Sequence, residues 1–243
     1  NNQIQDIAID KTDDTVYVVR GCPHQKKIVK ISPDGLTIDY DWATTGESHP
    51  HITFNSQGDM FAVAEYDYPT LYSIDKSNGS VTTLLQLTEN NSNRYTQPWR
   101  IYGVTTDKHD NIYCIDGNGY QQSDNWSGAA GAGYVDGRFV YKIDMSTSPP
   151  TGSWFTPGDS VLATLIPKQG SSFRGITVDN KGNVYFSVIA DSASATVYPK
   201  GIVKVEPDGV TCEIFAGDGS SKVISDGIGA SAKLNTVEQL NID

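Results

Sequence analysis

The sequence predicts an all-β protein, a β-propeller of four-stranded antiparallel blades. Three observations carry that expectation. One unit recurs along the chain; its short runs alternate apolar and polar residues with the period of two that a half-buried strand requires; and PDG, KSNG and NKG turns punctuate those runs at hairpin spacing.

The strands can be taken in order. First strands close on Asp or Asn: DIAID at Asp10, HITFN at Asn55, GVTTD at Asp107, GITVD at Asp179 and QLNID at Asp243. Second strands follow a tight polar turn, the clearest being NVYFS. Third strands read KIVKISPDG from Lys27, TLYSIDKSNG from Thr70, FVYKIDMS from Phe139 and GIVKVEPDG from Gly201. A fourth strand follows each: LTIDYDW, SVTTLLQL, SVLATLI and TCEIFAG. The chain is read as one domain, 1–243, with blades over 4–44, 45–90, 91–159 and 160–235, and 236–243 as the first strand of a further blade.

Each copy resembles the NHL-repeat type of β-propeller, whose blades carry G-I-A-V-D, then D-G-N-V-Y-V-A-D, then I-x-K-x-D or P-D-G. The segment FAGDGSSKVISDGIGASAKLN is similar to that family's blade-to-blade connection. The resemblance implies a ring of about six blades. Four full copies and one strand fall short of it, so missing blades or a further chain are expected to complete the ring, with a self-contained four-bladed ring as the alternative. The resemblance leaves activity open, because such scaffolds serve as lyases, lactonases, protein-binding and RNA-binding modules.

Composition narrows the partners. Eighteen basic against 29 acidic side chains give a net charge of −11, which argues against nucleic acid or an anionic membrane surface. No run of apolar residues is long enough to span a membrane. The N-terminus is already strand-like, so a signal peptide has been removed or was never there. Cys22, Cys114 and Cys212 lie in different copies without metal-ligand spacing, and their odd number leaves at least one thiol unpaired. Sequons at Asn78, Asn90 and Asn125 suit a secreted protein of eukaryotic source and also arise by chance.

Connection lengths locate a surface. First-to-second and third-to-fourth turns are short, whereas RGCPHQK, EYDYPT, ENNSNRYTQP, Gly117 to Arg138, ADSASATVYPK and Gly217 to Asn235 are long. The long ones share one end of a four-stranded blade and carry the aromatics. The expected contact surface comprises Tyr66, Tyr68, Tyr95, Trp99, Tyr102, Tyr120, Trp126, Tyr134 and Tyr198, and the expected partner is a protein or glycan. Mere tolerance of insertions would produce the same lengths. Trp42 and Trp154 are read as packed between blades.

A second candidate lies just ahead of the first strands, at the mouth of the channel: Gln5, His49, His51, Arg100, Tyr102, Arg174 and Glu238. The resemblance implies a lyase or lactonase-type hydrolase there, working through His and carboxylates. His51 with Glu238 has the residue types for proton abstraction. His49 and His51, two apart on a strand, share a face as a metal pair would, but two ligands do not make a site, so no metal and no cofactor is expected. A polar channel entrance holding water is the plainer account. The Asp residues closing the first strands are expected to cap their own turns rather than bind calcium. A secreted, periplasmic or cell-surface location is expected.

Overall fold

The computed structural model describes residues 3–21, 27–45, 50–64, 69–87, 98, 101–116, 139–157, 165, 171–190, 201–217, 229, 232, 234, 237 and 239–242. The strands fall into four antiparallel sheets, each a four-stranded meander. Sheet one contains β1 (Gln3–Ile9), β2 (Val16–Gly21), β3 (Lys27–Ile31) and β4 (Ile38–Thr44). Sheet two contains β5 (Pro50–Phe54), β6 (Met60–Ala64), β7 (Thr70–Ile74) and β8 (Val81–Gln86). Sheet three contains β9 (Ile101–Thr106), β10 (Ile112–Asp116), β11 (Val140–Asp144) and β12 (Thr151–Trp154). Sheet four contains β13 (Ser171–Val178), β14 (Val184–Ala190), β15 (Gly201–Val205) and β16 (Cys212–Ala216). The backbone divides into two compact units, residues 1–113 with 142–153, and 114–141 with 154–243.

In the first unit the alternation of β1 to β3 puts Ala8 opposite Tyr17 and Val19 opposite Ile28 on one face of sheet one. Tyr17, Val19, Ile28 and Ala43 meet Ile52, Met60, Ala62, Ala64, Tyr72 and Ile74 of sheet two in one core cluster. Each large side chain so buried contributes roughly 1.5–3 kcal/mol. The Tyr17 ring centroid lies 4.8 Å from that of Trp42 within sheet one and 5.6 Å from that of Phe54 in sheet two, and Trp42 packs against the core cluster that the two sheets share. Burial pushes the Tyr17 phenol up to about 12. Trp42 therefore packs between sheets, as the sequence predicts.

In the second unit Phe139, Phe173 and Phe186 form an aromatic cluster with centroids 4.6, 5.7 and 6.4 Å apart. Val184, Val188, Val203 and Val205 of sheet four are buried with them. Thr156, wholly buried, accepts the N–H groups of Phe139 at 2.9 Å and Val140 at 3.1 Å on its Oγ1, satisfying donors at the start of β11.

The fourth strand of sheet three differs from the sequence reading. It is Thr151–Trp154, not the SVLATLI run at 160–166. The turn before it is closed early by Asp144, whose Oδ1 accepts the Ser146 N–H at 2.9 Å, and the chain turns back through a cis Ser148–Pro149 bond. TGSW carries no apolar alternation; its place is fixed by the edge-to-face packing of Trp154 on Tyr141, 5.3 Å apart, and by the Phe155 N–H bonded to the Val140 carbonyl at 2.8 Å.

A recurrent contact joins successive sheets within each unit. Gly79, in the β7–β8 turn, has φ +73° and lies so close to β4 that a Cβ would sit 2.0 Å from the Trp42 carbonyl oxygen. Gly209, in the β15–β16 turn, repeats this with φ +72° and the Phe155 carbonyl at 2.1 Å. Only glycine tolerates both the left-handed backbone and the close approach.

Candidate functional site

Antiparallel order fixes the two ends of every sheet. The first-to-second and third-to-fourth turns share one end, and the longer connections leave from the other.

The turn end is chemically closed. Asp10 Oδ1 accepts the Thr12 N–H at 2.9 Å and the Thr12 hydroxyl at 2.6 Å. Asp107 Oδ1 accepts the N–H groups of His109 and Asn111 at 2.8 and 2.9 Å. Asp179 Oδ1 does the same for Lys181 and Asn183, both at 2.9 Å, while its Oδ2 accepts the Asn183 amide and the Tyr185 hydroxyl. Asn55 Oδ1 takes the N–H groups of Gln57 and Asp59. These are Asx turns, in which each side chain stands in for a backbone acceptor. Burial alone would raise the Asp179 carboxyl, and the bonds from Asn183, Lys181 and Tyr185 hold it below its ordinary value. The outer turns behave alike: the Ser77 bonds to Asp75 and the Thr211 bonds to Asp208 lower those carboxyls.

The polar residues of the opposite end lie inside the first strands, not ahead of them. Gln5 is in β1, His51 in β5, Tyr102 in β9 and Arg174 in β13. The strands begin earlier than the apolar pattern shows because Gln3 pairs with Gly21 and Ser171 with Ala190. In both β1 and β13 the register slips at this level, with Gln5 the extra residue in one and Arg174–Gly175 facing a single residue in the other.

The bulge at Gln5 creates a contact absent from the sequence reading. It turns Asp6 toward sheet two, where Oδ2 accepts the Ile52 N–H at 2.9 Å and lies 3.6 Å from His51 Nδ1; both side chains are 14% exposed. At that distance the pair is an ion-pair contact when the imidazole is protonated, not a hydrogen bond. Gln5 Oε1 is buried with no hydrogen-bond partner among the described residues. On the other side of β5, the Thr53 and Thr106 hydroxyls meet at 2.9 Å and tie it to β9, which carries the half-buried Tyr102. Asp6, His51, Gln5 and Tyr102 therefore occupy three neighbouring inner strands of the first unit. Arg174, half-buried, belongs to the second. The carboxylate beside His51 is Asp6. In the sequence Asp6 stands only as the acid at the head of DIAID, which does not show the face it takes.

His49, Arg100 and Glu238, and the aromatics Tyr66, Tyr68, Tyr95, Trp99, Tyr120, Trp126, Tyr134 and Tyr198, lie outside the described residues. Among the described residues no three His, Cys, Asp or Glu side chains converge as metal ligands. Cys114 is fully buried in β10, and burial pushes its thiol far above the ordinary value; Cys212 in β16 is half-buried, and burial with the nearby Asp208 raises its thiol also.

No protein-family model matches the sequence, and no curated protein matches it. Solved structures do. An auxiliary nutrient binding protein from Bacteroides thetaiotaomicron VPI-5482 superposes with a TM-score of 0.60 at 15% identity, over 96% of this chain and 46% of its own. The extracellular domain assigned to a one-component system of B. thetaiotaomicron gives 0.56 at 8% identity, over 99% of this chain and 25% of that one. A protein assigned as TolB from Agrobacterium tumefaciens gives 0.50 at 13%, over 86% and 63%. All three are propeller-type proteins, and this chain matches them with four separate four-stranded antiparallel sheets. The fold is a β-propeller. The chain spans between a quarter and about two thirds of the length of these structures. Among the described residues no helix of this propeller is long and apolar enough to cross a membrane.

Proposed function

We propose that this propeller is a non-enzymatic binding module that works outside the cytoplasm and presents the long-connection ends of its sheets to a protein or glycan. The observation that carries the reading is the chemical contrast between the two ends. Turn-end carboxylates are engaged by their own turns or by a neighbouring turn, which leaves them few free acceptors for a partner. The other end carries the long connections and most of the exposed-type aromatics, including Trp126 and Tyr134. Tyr and Trp give large contact area at small entropic cost. A location in the periplasm, at the cell surface or in secretion agrees with the extracellular and nutrient-binding proteins that share the fold. The net charge of −11 disfavours nucleic acid as partner.

The test is binding of the purified chain to an oligosaccharide array and, separately, cross-linking in an extract of the source cells. Replacing Trp126 and Tyr134 together by Ala is expected to weaken the strongest interaction found by more than tenfold. Unchanged binding would remove the Gly117 connection from the surface.

The Asp6–His51 pair favours one alternative, a lyase or lactonase-type hydrolase acting through His51 and the residues beside it in the first unit. A carboxylate on one ring nitrogen leaves the other to move a proton. Turnover of a lactone panel, abolished in His51→Ala and retained in Trp126→Ala, would put this reading first.

A further inference from the structure

The outer turns of sheets one, two and four are built alike, and one of them carries a reactive pair. Asp34, Asn78 and Asp208 hold the same place before Gly35, Gly79 and Gly209, and the Oδ1 of each accepts the N–H two residues on, from Leu36 at 3.0 Å, Ser80 at 2.8 Å and Val210 at 2.8 Å. Of the three, only sheet two uses an amide. Asn before Gly is the pair in which the following backbone nitrogen reaches the side-chain amide carbon with least hindrance, because glycine has no Cβ in the way. Among the described residues Asn78–Gly79 is the one such pair, and the Asn78 side chain is exposed to water.

The closed turn holds the reacting groups apart. The Gly79 N–H donates to the Asp75 carbonyl at 2.8 Å, so its nitrogen is engaged as a donor and not available as a nucleophile. The Asn78 amide is fixed at both ends, its Nδ2 donating to Asp75 Oδ2 at 3.1 Å and its Oδ1 accepting the Ser80 N–H. Gly79 is itself buried against the Trp42 carbonyl oxygen of β4, which stands 2.0 Å from its Cβ position. Reaction therefore requires these bonds to break while the turn lifts off sheet one. Local opening of that kind has its own free energy, set by how well the segment is seated.

We infer that Asn78–Gly79 is a site of spontaneous covalent modification, gated by the joint between sheets one and two. In the open turn the Gly79 nitrogen gives its proton to solvent base and bonds to Asn78 Cγ, the Cγ–Nδ2 bond breaks, and ammonia leaves with a proton from water. A second water then opens the five-membered imide at one of its two carbonyls, leaving aspartate or isoaspartate; nothing is oxidised or reduced. Neither product restores the turn. Aspartate lacks the Nδ2 donor and sets a carboxylate against Asp75, whose own carboxyl the Ser77 bonds hold below its ordinary value and so charged at neutral pH. Isoaspartate carries the main chain through Cβ, which adds one atom ahead of Gly79 and displaces it from the Trp42 carbonyl. Lys76, two residues before Asn78, pairs with the buried Asp10, so the altered turn loosens that ion pair as well. An opening that would have closed again becomes permanent. The inference stands on this turn alone and is independent of what the propeller binds.

The experiment holds the purified chain in mildly alkaline buffer, folded in one set of samples and dissolved in concentrated urea in the other. Asn78 is followed by peptide mass spectrometry, with the aspartate and isoaspartate peptides separated by chromatography. Loss of Asn78 roughly a hundredfold slower in the folded chain is expected, by a factor that matches the hydrogen-exchange protection of the Gly79 amide in the same buffer. Two variants, checked for folding by circular dichroism, locate the gate. Lys76→Met weakens the joint without touching the reacting pair and should speed the folded-state reaction about tenfold, whereas Thr156→Val, a lesion in the other unit, should leave it unchanged. Equal rates in the folded and urea-dissolved chain, or an Asn78 that survives in urea, would overturn the inference. So would equal acceleration by the two variants, which would make global unfolding the gate. Should Lys76→Met fail to fold, the match between Asn78 loss and Gly79 exchange in the unsubstituted chain decides, and a mismatch overturns it.

Discussion

Lys76 Nζ lies 2.5 Å from Asp10 Oδ2, reaching from the outer turn of sheet two to the inner turn of sheet one, where the Asp10 side chain is wholly buried. The same ammonium approaches Thr12 Oγ1 at 3.5 Å, and the Lys76 carbonyl receives Lys30 Nζ at 3.3 Å. A fully enclosed carboxylate with one cationic partner is costly to leave unpaired. Lys76→Met is expected to destabilise the fold by about 3 kcal/mol, because breaking a buried pair strands its charge. Chemical denaturation checks this, and Lys76→Met combined with Asp10→Asn should recover much of the loss.

The same pair sets an acid limit. Burial by itself raises the Asp10 carboxyl, and the Lys76 and Thr12 bonds outweigh it to leave the group below its ordinary value. A lowered native value means the stabilisation is fully present above the unfolded value, near pH 4, and disappears as pH falls through the native one. Asp75, Asp144, Asp179 and Asp208 are lowered in the same direction. Stability should therefore be flat from pH 5 upward with respect to these groups and fall below pH 4. In Lys76→Met the fall should begin at higher pH, as read by circular dichroism during acid titration.

Ser187 is wholly buried, and its hydroxyl has no hydrogen-bond partner among the described residues. Val19 and Val63 hold the matching place in sheets one and two. Ser187→Val is expected to stabilise the protein by about 1 kcal/mol, since it removes an unpaired buried hydroxyl and adds apolar volume. A lower melting temperature would show that the hydroxyl has a partner.

Thr156 poses the opposite case. Its Oγ1 accepts two buried backbone N–H groups, so Thr156→Val keeps the shape and orphans both. A loss of about 2 kcal/mol is expected, with faster hydrogen exchange at Phe139 and Val140.

The turn glycines can be ranked. Gly35→Ala meets only the backbone cost of a positive φ, about 1 kcal/mol, in chain 1–243. Gly79→Ala and Gly209→Ala also drive a methyl into a carbonyl oxygen and should cost at least twice as much. Equal melting temperatures for the three variants would refute the ranking.

Much of the architecture was legible because each copy states its own local chemistry. An Asx residue, a tight turn and a β-branched or aromatic run recur together, so strands one to three of every sheet could be read from period and punctuation. Strand β12 could not, because TGSW owes its place to Trp154 on Tyr141 and to Phe155 on Val140, contacts between residues distant in sequence. Of the candidate site, His51, Tyr102 and Arg174 were visible as polar residues in apolar strands. Asp6 was not, because a one-residue bulge decides which way a strand's side chains face, and no residue type announces the bulge at Gln5.

The glycine-to-carbonyl contact has an evolutionary corollary. Gly79 reads a peptide oxygen of its neighbour, and every residue type supplies one at that spot. Fit between adjacent sheets is thereby blind, at this point, to the neighbour's side chains. Copies of the unit can drift in sequence, be duplicated or be exchanged while the outer edges still seat. Three solved structures share the fold at 8–15% identity.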